Sequence, residues 1–297
     1  MAVKKNTIIV QELVKEFKNM DDSFLAPITA HNDKVNADTI NFNTIGAAPD
    51  VLVDNTTYPI AVNSRTDDSV VVSLKKLDTT NTKITDDELF ALTYDKKSSV
   101  RKQHLDALMV AHIKLGAYSL APTSHSANAP VLQTTGSTTG VRKRIQMADI
   151  IRYKALVDAL EIPLEGRNLV LSPEHIEDIL LLDQSFRDRY NSTETGKIIK
   201  QIYGFNIWES LHTPKYVGTT LAKKAWGAAG AASDIPSSVF YSTVNVMKAQ
   251  GSASMYYRDA SMDPENRQSV VGFRMYDIVH PVSTKGFGAI ISDYVAP

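Results

Sequence analysis

Apolar and polar residues recur along this chain with two different periods, and the places where the period changes divide it. From Ile8 to Phe17 the apolar residues Ile9, Leu13, Val14 and Phe17 form a helical stripe. Asn19, Asp21 and Asp22 stop it and Pro27 follows, so a short helix on an extended amino-terminal arm is expected. From about Asn36 to Lys83 the period drops to two. ADTINFNTIG alternates through Ile40 and Phe42 until Gly46 and Pro49 break it. The β-branched runs VLVDNTTYPIAV and SVVVSLKKL follow, interrupted by Asp54-Asn55-Thr56-Thr57 and by Ser64 to Asp68. This pattern predicts a long β-hairpin or small ribbon with no helix nearby to cover it. Two or three strands with little attached core are marginal by themselves. Either the ribbon folds back on its own body, or another chain covers it.

Thr85 then stands as a helix N-cap, with Asp86, Asp87 and Glu88 suited to the positive end of a helix dipole. A longer helix is predicted from Ser98 or Ser99 to Ala117, where Val100, Leu105, Leu108, Met109, His112, Ile113 and Gly116 keep a 3.6 period. Such a rod is about 30 Å long. Residues 121–144, rich in Pro, Ser, Thr and Gly, read as a linker or large loop. A helix from Met147 to Leu160 and a buried strand from Leu169 to Leu171 come next. Ser172 as N-cap and Pro173 at the first helical position open a helix through Leu182. GKIIKQIYGFNIWES is a polar turn, an amphipathic run, a glycine and a strand from Phe205 to Glu209. GTTLAKKAWGAAGAASDIPSS reads as a small-residue loop, and everything from Val239 is β again, with turns at Gly251 and Asp263-Pro264.

Composition narrows the class. With 297 residues, 43% of them hydrophobic, the chain can bury a sizeable core in one or two domains. A net charge of -1 argues against a protein that grips nucleic acid through a basic face. The absence of cysteine excludes disulfides, thiolate zinc sites and a cysteine nucleophile. The apolar run before Gln11 is too short for a signal peptide, and no stretch approaches the ~18 apolar residues of a membrane span. A soluble protein kept in a cytoplasm is expected.

Candidate chemistry is sparse. His104 and His112 lie eight apart on one helix, which is not the spacing of a zinc pair, and His175 with Glu177 and Asp178 lacks the His-Glu-x-x-His order. TTGSTTG, Thr134 to Gly140, lacks the Gly-Lys-Ser/Thr end of a phosphate loop and reads as a flexible loop. VRKR, Val141 to Arg144, is the densest basic cluster, but without aromatic neighbours it reads as a solvated turn. No catalytic residue, cofactor-binding residue or metal ligand is assigned, and the weight moves from enzyme towards structural protein.

The order of elements (arm, uncovered ribbon, long helix, α/β section, terminal strands) resembles the major capsid protein of tailed bacteriophages, the Hong Kong 97 type of α+β fold. VNADTINFNTIG and VVVSLKKLDTTNTKITDDEL resemble the flanks of that family's extended loop, and LTYDKKSSVRKQHLDALMVAHIKL its spine helix. RNLVLSPEHIEDIL and IIKQIYGFNIWESLHTP resemble its axial domain, and SVFYSTVNVMKAQGSASMYYRDAS through MYDIVHPVSTKGFGAI the closing strands of its peripheral domain. The resemblance implies an amino-terminal arm over 1–35, an extended loop over 36–83 and a peripheral domain with the spine helix over 84–120. It further implies an axial domain over 121–235 and closing strands over 236–297. Val51, Val53, Tyr58, Ile60, Arg65, Val70 and Val72 would contact the adjacent subunit, and Leu105, Leu108 and Met109 would pack the spine helix.

The function so implied is a shell protein, not an enzyme, that assembles with itself as hexamers and pentamers around double-stranded DNA in a phage head. Assembly takes place in the host cytoplasm. The further partners implied are scaffolding, portal and decoration proteins, with DNA enclosed without sequence-specific binding, no membrane and no cofactor. Near-neutral charge fits a shell around motor-packaged DNA. Some family members cross-link a loop lysine to an asparagine of a neighbour. Lys75, Lys76 and Lys83 lie in the right region, but no asparagine or assisting acid matches, so that chemistry is not carried over. With Met1 directly before the arm, scaffolding is expected as a separate protein. Two other readings stand beside this one: an encapsulin-type compartment with a protein cargo, and an α/β enzyme whose site has no local motif.

Overall fold

The computed structural model describes residues 23–32, 39–44, 49–60, 62, 64–66, 68–85, 96–184, 186–188 and 201–296. The helix expected at 8–17 and the acidic helix start at 86–88 lie outside these residues. The first elements are β1 (Thr29–Ala30), β2 (Thr39–Thr44), β3 (Asp68–Ser73), β4 (Lys75–Asp78), β5 (Thr82–Thr85) and α1 (Lys96–Leu120). The middle of the chain holds β6 (Val131–Gln133), β7 (Thr138–Thr139), β8 (Arg142–Lys143), α2 (Met147–Ala159), β9 (Arg167–Leu171) and α3 (Pro173–Leu182). Then come β10 (Gln201–Ile202), β11 (Phe205–Glu209), β12 (Tyr216–Val217), β13 (Ala222–Lys223) and β14 (Asp234–Ile235). The chain closes with β15 (Ser237–Ser242), β16 (Val246–Arg258), β17 (Gln268–Pro281) and β18 (Phe287–Ile291).

A six-stranded mixed sheet, in the order β10-β11-β9-β15-β18-β6, is covered on both faces. That is why β9 and β15 are buried along their whole length. The two-residue period sorts their side chains. Leu169, Leu171, Phe205, Ile207, Phe240 and Ile290 meet Ile150, Tyr153 and Val157 of α2 and Ile176 and Ile179 of α3. Val170, Val239, Tyr241, Ala289 and Ile291 point the other way, onto Phe24, Leu25, Ile28 and the carboxyl-terminal end of α1 at Ala117 and Leu120. Ser172 accepts a hydrogen bond from the His175 amide and Pro173 opens α3, as its sequence requires.

The second large sheet is elongated. β16 and β17 pair antiparallel, from Val246 opposite Pro281 to Arg258 opposite Val270. β1 adds in parallel to β16, and β4 and β5 both pair with β17. α1, at 25 residues roughly 37 Å long, lies along β17. Leu105 and Leu108 pack with Val100, Ile84, Val271 and Phe273, and Met109 is also buried. Two polar side chains on α1 also face the sheet. His104 bridges Thr79 Oγ1 at 2.8 Å and Thr82 Oγ1 at 2.9 Å, and His112 bonds Asp277. Burial lowers the His104 pKa, so its neutral form is favoured in the joint.

Several sequence expectations are revised. VLVDNTTYPIAV forms no strand over 49–60, because a β-branched run without a partner strand has no ladder to join. Lys75 to Thr85 is not a free flank of the ribbon but an edge of the sheet that α1 covers. Residues 121–144 are no linker: β6 pairs with β18, and β7 and β8 form a hairpin. The Thr134–Gly140 stretch is tied down, with Thr134 Oγ1 donating to the Lys143 carbonyl at 2.8 Å. The small-residue segment supplies β13 and β14, which flank β12 in a three-stranded sheet. Gly251 is not a turn; it sits in β16 where the register shifts, and a Cβ there would lie 2.9 Å from Tyr276 Cβ.

The α1–sheet contact is testable. Leu108 is 3% exposed in a closed cluster, so Leu108→Ala should cost about 2–5 kcal/mol. Chemical denaturation of the purified chain measures this, and a loss under about 1 kcal/mol would mean that α1 is not packed on this face.

Candidate assembly surface

The ribbon is built from β2 and β3, paired from Thr39 opposite Ser73 to Thr44 opposite Asp68. Its root is anchored. Ile40 is fully buried with Leu74, Ala249 and Ile278, and Val72 and Tyr276 pack against that cluster. Val72 therefore packs within its own chain at the root of the ribbon. Val70 stands opposite Phe42 in the ladder.

Beyond the outer end of the ribbon almost all the described residues of 49–66 are exposed. Val51, Leu52, Val53, Tyr58, Ile60 and Val62 are between 51% and 96% exposed, and Arg65 is exposed as well. Local hydrogen bonds shape the loop in place of a ladder: the Asn55 side chain accepts from the Thr57 amide and donates to the Thr57 carbonyl. Six large apolar side chains grouped in one loop form the kind of patch that marks a binding surface.

A second surface feature lies at the foot of α1. A cleft of about 700 Å³ is lined by β4, the end of α1, residues 121–129, the β13 region and the β17–β18 connection. Lys223 organises its wall. Its ammonium donates to the carbonyls of Tyr118 at 2.8 Å and Ala121 at 2.6 Å and lies 4.0 Å from the centre of the Tyr118 ring. It thereby satisfies carbonyls that the last turn of α1 leaves without amide partners, and its charge suits the negative end of the helix. Burial pulls the Lys223 pKa down to about 8. Trp226 meets the same tyrosine edge-on, with ring centres 5.4 Å apart, and is half-exposed.

Elsewhere, polar chemistry is turned inward. His175 lies 2.6 Å from Ser238 Oγ through Nδ1 and 3.0 Å from Ser292 Oγ through Nε2. A serine beside an imidazole is the pairing a nucleophile needs, but all three residues have zero exposure and no substrate reaches them. Burial, aided by the nearby Arg142 charge, pushes the His175 pKa down to about 3. The basic cluster is not a solvated turn: Arg142 makes a two-pronged pair with Asp178, Arg144 approaches the same carboxylate at 3.7 Å, and Lys143 pairs with Asp293 at 2.7 Å. Two carboxylates thus balance most of the charge of these three cations within their own chain, which leaves less of it for phosphate. Among the described residues no group of three potential metal ligands forms.

No family model and no curated protein matches the chain. Solved structures do. The capsid of the cyanophage P-SCSP1u aligns at a TM-score of 0.63 and 15% identity, over 91% of this chain and 86% of that one. The capsid asymmetric unit of the cyanophage Pam1 aligns at 0.64 and 15%, over 93% of each chain. A structure from Mycobacterium phage Che8 aligns at 0.65 and 11%, over 91% of each. The chain therefore has the Hong Kong 97-type α+β fold.

The buried His175 gives a pH dependence with a definite sign. Its folded-state pKa of about 3 lies below the ordinary 6.5, so between these values the unfolded chain binds a proton that the folded chain refuses. The stability it contributes is full above pH 6.5 and falls as pH drops towards 3, by at most about 1.4 kcal/mol per pH unit. Denaturation of the purified chain between about pH 7 and pH 4 should show a shallower decline for His175→Gln than for the parent. Equal slopes would mean that the imidazole is not held neutral in the fold.

Proposed function

We propose that this chain is the major capsid protein of a tailed bacteriophage and builds the icosahedral head shell around the double-stranded DNA genome. The loop over 49–66 carries the reading: it presents six exposed apolar side chains that its own domain leaves uncovered. Likeness of fold to phage capsid proteins over nine-tenths of the chain supports it. On this reading the arm is 1–35 and the extended loop 36–83, whose return flank doubles as the edge of the peripheral sheet. The peripheral domain over 84–120 is built on α1, the axial domain is 121–235, and 236–297 supplies closing strands to both. Val51, Val53, Tyr58, Ile60, Arg65 and Val70 contact the next subunit, while Leu105, Leu108 and Met109 hold α1 in place.

The protein works structurally, not as an enzyme. Its partners are other copies of itself, as hexamers and pentamers, with scaffolding, portal and decoration proteins around them. DNA is enclosed without sequence-specific contacts. It assembles in the host cytoplasm and ends in the virion. Obligate contacts of this kind bury roughly 2,000–5,000 Å².

Electron microscopy of purified protein, produced alone and with a scaffolding protein, tests the reading directly. Closed shells are expected, with nucleic acid rather than enzyme as contents in infected cells. Replacing 49–66 by a short Gly-Ser turn keeps Ile40 and Val72 at the ribbon root. That variant should still melt cooperatively and should fail to close shells. Shells of normal size from the variant would remove the loop from assembly, and a lone monomer under every condition would remove the shell reading.

A further inference from the structure

We propose that a basic hollow beside the carboxyl-terminal half of α1 binds the backbone phosphates of nucleic acid without reading its sequence. The inference rests on the shell reading for the identity of the ligand, the enclosed duplex, and goes further by naming the surface that holds it. Three segments enclose the hollow, about 460 Å³ in volume. They are α1 at Lys114 and Tyr118, one helical turn apart, the β11–β12 connection from Leu211 to Lys215, and the β13–β14 connection from Lys224 to Gly230. The Lys224 amide donates to the Lys215 carbonyl at 3.0 Å and joins the two connections.

Lys114, Lys215 and Lys224 line it together with His212, against one carboxylate, Asp234. Asp234 is committed to its own chain: it accepts from the Lys224 ammonium, and from the Ala231 amide at 2.8 Å. Burial works against its charge, yet these two hydrogen bonds and the charges of Lys224 and Lys215 hold its pKa below the usual carboxylate value. Lys224 and Asp234 thereby cancel each other. Lys114 and Lys215 are exposed, and among the described residues neither has a carboxylate within ion-pair distance. Burial and the nearby Lys114 charge lower the His212 pKa, which favours the neutral ring. Two like charges thus face one concave surface that offsets neither of them, and such a surface attracts anions.

The walls suit a phosphate backbone. Residues 225–232 carry nothing larger than a methyl group except at Trp226, and all of them are exposed. At Gly230 neither a positive φ nor any atom within 4 Å demands glycine, so the main chain there is open to close approach by a ligand. Trp226, 52% exposed, brings an indole N–H, which donates and cannot accept. Two ammonium groups and an indole therefore offer donors to the acceptor oxygens of a phosphodiester. An acidic peptide would bring amide donors as well. The one carboxylate here is already paired, and its other oxygen, Oδ1, is buried.

The purified chain should bind a short labelled DNA duplex at low salt, equally well for unrelated sequences, and its tryptophan emission should change on binding. The other tryptophan, Trp208, lies outside the hollow, so Trp226→Leu should abolish that change. Lys114→Gln with Lys215→Gln should weaken binding about tenfold and flatten the slope of log affinity against log salt by about two. Lys114→Arg with Lys215→Arg should keep both near the parent values. Lys102→Gln with Lys285→Gln removes the same charge at exposed sites outside the hollow and should alter neither. The assignment is overturned by a parent that binds no duplex, by an equal loss in the Lys102 and Lys285 variant, or by tryptophan emission that DNA leaves unmoved. Equally tight capture of poly-glutamate, with the same dependence on Lys114 and Lys215, overturns it in favour of an acidic protein segment. Electron microscopy of the same preparations keeps the two readings apart. Shells without DNA binding overturn the hollow alone, and DNA binding without shells overturns the shell reading alone.

Discussion

The pairing of β16 with β17 holds the molecule together. It runs for more than ten residues on each strand, and a two-stranded ribbon of that length is marginal in water until one face is covered. α1 supplies the cover, through Leu105 and Leu108 and through the hydrogen bonds of His104 and His112. β4 and β5 then close the edge of β17. The β2–β3 ribbon poses the same physical problem in miniature, and among the described residues no helix is packed on it. Its root is buried by Ile40 and Leu74, and its outer loop is left exposed. One fold thus answers the same difficulty twice, once within the chain and once, on the proposed reading, between chains.

Elements whose signals are local were legible in the sequence. The 3.6 period of α1, the Ser172–Pro173 start of α3 and the alternation in Phe205 to Glu209 each correspond to an observed element. The turn before β11 is legible in hindsight. Tyr203 and Gly204 both have positive φ, as a two-residue hairpin turn requires, and Gly204 meets that demand without strain. What stayed hidden depends on partners far away in sequence. β4 and β5 give no hint that their ladder is β17, nearly two hundred residues on. The strands β6 to β8 and β12 to β14 are two or three residues long, too short for any period to show.

The surface features divide in the same way. A ribbon could be read from the β-branched runs and their period of two. The side on which Val72 lies could not, since that depends on Ala249 and Ile278 arriving from β16 and β17. The basic cluster looked solvent-facing because its neutralising carboxylates, Asp178 and Asp293, are remote in sequence. The cleft could not be anticipated at all, being assembled from segments between Lys75 and Phe287.

α1 belongs to two cores at once. Val100, Leu105 and Leu108 are embedded beside the elongated sheet, while Ala117 and Leu120 are embedded beneath the six-stranded one. The two sheets are therefore joined by a strut, and Lys223 pins its far end by holding the Tyr118 and Ala121 carbonyls. Rotation of one sheet against the other must bend a continuous helix, and helices bend gently over tens of ångströms rather than folding at a point. Stiffness of that kind gives each subunit a nearly fixed internal angle. On the proposed shell reading, any difference in curvature between one position and another would be taken up mainly where copies meet.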